Sequence, residues 1–184
     1  MTRLGIAKMR LAGAIAAAGA FALVVPGGAQ AVAAGTSVQA EIATVLEKTA
    51  GGVQISPNQV AWRDGKVILT IPLPGEPTAR VAGEPVVSLA TKNCAYTWTC
   101  LYEHRDYGGR RLSFQECGGI QDLSDYDFSD KTTSYHNNQT SGTKTRVYNW
   151  TGSWTQLWTT SGAESASAHV GSEKNDKADG IDAC

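Results

Sequence analysis

The sequence predicts an all-β fold, a double Greek-key sandwich preceded by a small helix plus β-hairpin unit, and three observations predict it. From Cys94 onward, short β-favouring runs at residues 97–102, 111–114, 145–148 and 156–160 are separated by clusters of Gly, Asn, Asp and Ser. The octet Tyr102-Glu103-His104-Arg105-Asp106-Tyr107-Gly108-Gly109, followed by alternating Leu112 and Phe114, describes one folded hairpin. A glycine after the second aromatic takes positive φ without steric cost, so the strand can fold back while Tyr102 and Tyr107 pack together. All four cysteines, Cys94, Cys100, Cys117 and Cys184, lie in this C-terminal half, as expected of a disulfide set in an oxidising compartment.

The elements follow in order. Arg3, Lys8 and Arg10 precede an uncharged, alanine-rich run over residues 11–25, and Ala29-Gln30-Ala31 offers a cleavage site, so residues 1–31 read as a secretory signal peptide. The apolar run is shorter than the roughly 20 residues a membrane span needs. Thr36 or Ser37 can cap a helix whose apolar positions Val38, Ile42, Val45, Leu46 and Ala50 recur at helical spacing until Gly51-Gly52. Residues 59–62 and 67–71 flank Asp64-Gly65, a hairpin turn, which completes an N-terminal unit over residues 32–71. Such a unit is too small to stand alone and must pack on something. Pro72, Pro74, Pro77 and Pro85 mark residues 72–93 as a linker, and trimming of residues 32–93 as a pro-region is one expectation from that boundary.

Residues 94–184 divide near Gly142 into two halves, each long enough for four short strands and each too poor in apolar residues to be stable alone. Trp154 and Trp158 are four apart and so share a strand face, where a common core is the expectation. Four cysteines allow three pairings. Closure of a short loop favours Cys94 with Cys100, leaving Cys117 with Cys184 to tie the first half to the chain end.

The 184 residues carry 16 basic and 17 acidic side chains, and removing the signal leaves 13 basic residues against 17 acidic. No basic patch survives, so nucleic acid is not an expected partner, nor is a membrane after signal removal. There is no His-Glu-x-x-His helix, Gly-x-Ser-x-Gly elbow or phosphate-cradling glycine loop, and the chain reads as a non-enzyme. His104, His136 and His169 sit among polar neighbours and read as solvated surface. Glu103, Asp106, Asp125 and Asp127 could serve as an acid and base pair only if the fold set two of them across a cleft.

The octet, its continuation through Asp122-Leu123-Ser124 and Asp130-Lys131-Thr132-Thr133-Ser134, and the Trp-rich second half resemble the Greek-key signature of the beta-gamma-crystallins. Tyr102, Glu103, Tyr107 and Gly109 carry the likeness, which covers residues 94–184 and is nearest to the secreted bacterial crystallin-like peptidase inhibitors, whose known members inhibit metalloproteinases. The second half departs from the pattern, because Gly152 precedes Trp154 instead of following it.

The resemblance implies a secreted, monomeric inhibitor that occludes the cleft of an extracellular peptidase noncovalently, with a carboxylate or carbonyl approaching the catalytic zinc. It requires no cofactor. It also implies weak calcium sites in the family's pattern of two Asn or Asp residues, two free positions, then Ser or Thr and Ser. Asp130, Thr133 and Ser134 form one copy, headed by Ser129, and Asn175, Asp176 and Asp179 form the other, which lacks both hydroxyls. Calcium seeks six to eight hard oxygens, which such turns can supply; the competing reading has Ser134, Asn175 and Asp176 hydrogen-bonding their own turns. Residues 135–142, with Tyr135, His136, Asn137 and Asn138, are the candidate inhibitory loop, against a plain connection between Greek keys. Two other functions compete: a calcium-stabilised structural or stress protein, and a secreted toxin or cell-wall carbohydrate binder using Trp150 or Trp154.

Overall fold

The computed structural model describes residues 28–86, 91–160, 162 and 164–184, and side chains from residue 37 onward. Most of the expected signal peptide lies outside the described residues. The first element, α1, spans Gly28–Lys48, so Thr36 and Ser37 lie within it and do not cap it. The alanine-rich run before them has high helix propensity and carries the helix through. It closes as expected: Thr49 N donates to Val45 O at 3.0 Å and Gly51 takes φ +72°. Val38, Ile42 and Val45 are buried, whereas Ala50 is exposed.

Eleven strands follow: β1 Val53–Ser56, β2 Gln59–Trp62, β3 Val67–Thr70, β4 Trp98–Tyr102, β5 Arg111–Phe114, β6 Gln121–Asp122, β7 Ser134–Asn138, β8 Arg146–Trp150, β9 Trp154–Thr159, β10 Ser165–Ser167 and β11 Gly180–Asp182. They build a seven-stranded sheet in the order β1-β2-β3-β5-β4-β7-β10 and a four-stranded sheet in the order β6-β11-β8-β9. Within each half of residues 94–184 three strands stay together and the third crosses. Thus β6 pairs with β11 of the second half, and β10 pairs with β7 of the first. Each half depends on the other for an edge strand.

The N-terminal hairpin packs on the sandwich by backbone pairing. β3 runs antiparallel to β5, with Leu69 opposite Leu112, so the larger sheet is continuous across the expected boundary. Val38, Ile42 and Val45 of α1 share one core with Val60, Trp62 and Leu69 of the hairpin and with Leu101, Leu112, Phe114, Val147, Trp158 and Ile181 beyond it. The described residues of the proline-rich segment form no helix or long strand, as its prolines require, yet they are pinned as a strap across the sheet's outer face. Asn58 Nδ2 donates to Ile71 O and Arg80 O, both at 2.7 Å, Asn93 Nδ2 to Ala79 O at 2.6 Å, and Gly109 N to Pro77 O at 2.7 Å.

Both expected disulfides are present, Cys94–Cys100 and Cys117–Cys184, with Cα separations of 5.7 and 5.1 Å. A bulge separates the two tryptophans of β9. Val147 pairs with Trp158 but Tyr148 with Gln156, so one extra residue breaks the alternation and Trp158 enters the core without Trp154.

Candidate functional site

The hairpin corner positions everything around it. Asp106, Tyr107 and Gly109 take φ of +57°, +62° and +71°, which reverses the chain within a few residues and sets the Tyr102 and Tyr107 rings edge to face, 5.5 Å apart. A Cβ at Gly109 would lie 2.9 Å from Glu103 Cβ and from His104 Cδ2. Ser134 locks the corner from β7: its hydroxyl donates to His104 O at 2.6 Å and accepts from Tyr107 N at 3.2 Å. Both hydrogen-bonding roles of that hydroxyl are therefore taken by the backbone.

Glu103 faces Arg110, whose buried guanidinium also meets Asp127 at 3.2 Å and Glu41 of α1 at 3.6 Å and lies over the Phe128 ring. Burial acts to raise the Glu103 carboxyl, but the hydrogen bonds and charge of Arg110 outweigh it and hold the carboxyl below its usual range. Glu103 and Asp127 thus share one cation as structural partners, not as an acid and base.

The two turns expected to hold calcium meet and cross. Asp130 N donates to Ala178 O at 2.9 Å, and Asp176 N donates to Thr132 O at 3.2 Å, a reciprocal exchange about a pseudo-twofold axis. Both aspartates sit in the left-handed region, at φ +56° and +53°. The exchange carries Thr133 Oγ1 to 3.4 Å from Asp176 Oδ1, while Asn175 Nδ2 donates to Asp176 Oδ2 at 2.6 Å. Asn175 Oδ1 and Thr132 Oγ1 are buried without a partner. On the other side, Asp179 Oδ2 accepts from Trp150 N at 2.9 Å, and desolvation followed by the charges of Asp179 and Asp176 raises the Asp130 carboxyl. No three His, Cys, Asp or Glu side chains among the described residues stand close enough to hold a metal by themselves.

Residues 94–184 are a crystallin-like double Greek key. The third strand of each four-strand motif lies in the sheet of the other, β6 beside β11 and β10 beside β7.

In this crystallin-like sandwich only residues 139–142 of the candidate inhibitory loop form a turn; its first half is a strand. Tyr135, His136, Asn137 and Asn138 form β7, hydrogen-bonded on one side to β4 and on the other to β10. Their polarity misled the sequence reading. Asn137 is fully buried because its Nδ2 finds Thr160 Oγ1 at 2.9 Å and Thr143 O at 3.0 Å. His136 is buried too, with neither ring nitrogen hydrogen-bonded, and desolvation lowers its pKa to about 4. It is therefore not the solvated histidine its neighbours suggested. His104 alone of the three is exposed.

Residues 94–100 form a closed ring whose tip carries Tyr96, 67% exposed, beside Thr97 at φ +74°. The ring is anchored to the sheet: Thr97 N donates to Asn138 O and Asn138 Nδ2 to Cys94 O, both at 2.9 Å. An exposed aromatic inside a short cystine loop was a legible signal. Trp150 and Trp154 face each other at 4.9 Å across the β8–β9 turn, with Trp150 half exposed.

No family model matches the chain, and no curated protein does. Among solved structures, a betagamma-crystallin domain from Clostridium beijerinckii is similar at 29% identity over 46% of this chain and 94% of its own, with a TM-score of 0.37. A double mutant of clostrillin in complex with nickel is similar at 27% identity over 47% of this chain and 95% of its own, with a TM-score of 0.37.

Proposed function

We propose that the chain is an exported, non-enzymatic inhibitor of an extracellular peptidase, of metalloproteinase type, that occludes the cleft noncovalently. The observation that supports this reading is the cystine ring at residues 94–100, which offers Tyr96 to solvent from a backbone already tied to β7. A loop so ordered loses little conformational freedom on binding, and an exposed aromatic anchor is the kind of side chain that dominates interface energies. A β-branched residue at positive φ, as at Thr97, is sterically unfavourable, and such strain gathers at functional loops. With residues 135–138 in a central strand, the ring takes over the presenting role assigned to them. The two disulfides are compatible with export.

Titration of a thermolysin-like peptidase with the purified protein tests the proposal. Inhibition is expected at micromolar protein or below, weakened at least tenfold (about 1.4 kcal/mol) by Tyr96→Ala. No inhibition at micromolar protein removes the proposal.

A second reading, a calcium-stabilised crystallin-like structural protein, is favoured by the crossed turns. Asn175 Oδ1 is a buried oxygen without a donor, and Asp176 and Thr133 bring further oxygens to the same place from different halves. These residues would hold a calcium ion, and its charge would bridge the two turns. One carboxylate makes such a site weak. Calcium at millimolar concentration raising the melting temperature, with no peptidase affected, selects this reading.

A further inference from the structure

Between the strap and the outer face of the seven-stranded sheet lies a cavity of about 270 Å³. Ile68 and Ser113 line it from the sheet, Trp98 and Pro85 also border it, and two arginines, Arg80 and Arg111, reach it. The two cations are treated differently. Arg80 is matched by Glu76, its Nε donating to Glu76 Oε2 at 2.8 Å. Arg111 makes no ion pair among the described residues. Its Nη1 donates to Asn93 O at 2.7 Å, its Nη2 reaches Thr70 Oγ1 only at 3.5 Å, and its Nε is buried with no partner. Glu84, the carboxylate in the lining, is exposed; it accepts from Val81 N at 3.3 Å and acts on Arg111 through its charge without an ion pair.

A guanidinium has five N–H donors in a planar fork, and one drawn away from water without a counter-ion is costly. An anion placed beside it recovers much of that cost through charge-assisted hydrogen bonds. Ile68, Val81, Pro85, Ala95 and Trp98 form an apolar part of the lining beside the polar Gln59, Asn93 and Ser113, so the ligand that fits has a charged end and an apolar body. The volume lies just below the usual range for drug-sized ligands, which suits a single ring bearing an acid and excludes a folded peptide segment.

We propose that this cavity is a binding site for a small organic carboxylate, anchored by Arg111, with its apolar body against Trp98 and Ile68.

Calorimetric titration of the whole disulfide-bonded chain with benzoate and with 3-phenylpropionate, each compared with its neutral amide, tests the site. At least one acid is expected to bind saturably and at least tenfold more tightly than its amide. Arg111→Gln should abolish that preference. Should Arg111→Gln fail to fold, Ile68→Trp fills the cavity from a strand position and should abolish acid binding instead. The proposal is overturned if neither acid binds saturably, if acid and amide bind equally, if the preference for the acid survives in Arg111→Gln, or if acid binding survives in Ile68→Trp.

Discussion

At the scale of single residues, three positions carry consequences out of proportion to their size. His136 is held neutral by desolvation, with Lys92 adding to the downward shift and Glu164 opposing it. Its native pKa near 4 lies below the unfolded value of about 6.5. Between those values the unfolded chain takes up a proton that the native chain refuses, so the contribution is complete above about pH 6.5 and lost as pH falls toward 4. Wild type should lose up to about 3 kcal/mol over that window from this group. His136→Gln should lose markedly less, as read by denaturant melts at pH 7 and pH 4; equal losses would refute the assignment. Glu41 and Asp130, whose carboxyls are raised chiefly by desolvation, push the opposite way in both proteins and cancel in the comparison. Arg110 is the second case. Replacing it by Met leaves Glu103 and Asp127 without their shared cation and should cost about 3–5 kcal/mol in an equilibrium melt. Gly109→Ala should cost about 1–3 kcal/mol, because its φ of +71° and the Glu103 and His104 contacts both forbid a Cβ.

At the scale of elements, the covalent ties and the central strand matter most. The Cys117–Cys184 bridge joins residues 67 apart, and the Cys94–Cys100 bridge joins residues 6 apart. In the chain-entropy account, removing the long bridge as the double Ser variant should cost about 4 kcal/mol and removing the short one about 2 kcal/mol. The short bridge should matter more for peptidase inhibition, since it shapes the loop bearing Tyr96. Strand β7 shows why polarity is a poor guide to position. Ser-Tyr-His-Asn-Asn reads as a loop, yet the hydrogen bonds of Ser134 to the corner and of Asn137 to Thr143 and Thr160 satisfy those two side chains in the interior. The tyrosine corner was legible because its parts lie within eight residues. Strands of two and three residues, β6 and β10, carry no periodic signal at all.

At the scale of the whole molecule, the N-terminal unit is an extension of the sandwich. β3 occupies the edge of β5, and α1 covers its apolar face. A chain beginning at residue 91 would expose Leu112 and Phe114 and leave the β5 edge unpaired. It should be destabilised by about 5 kcal/mol or more, given about 1.5–3 kcal/mol for each large apolar side chain uncovered, and should bind an apolar dye. A melt indistinguishable from that of the whole chain would instead support a removable pro-region.

The sequence by itself determined the all-β class, the helix and hairpin and the corner at Tyr102 and Tyr107, because each of these rests on interactions between residues close in the chain, and it narrowed the cysteines to three pairings of which the structure selects one. Only the tertiary structure decided that the third strand of each half belongs to the other sheet, that two turns 46 residues apart trade backbone hydrogen bonds, and that Arg111 faces a cavity without an ion pair among the described residues. Those facts depend on which surfaces meet across the core, and burial, unlike local conformation, is a property of the assembled neighbours.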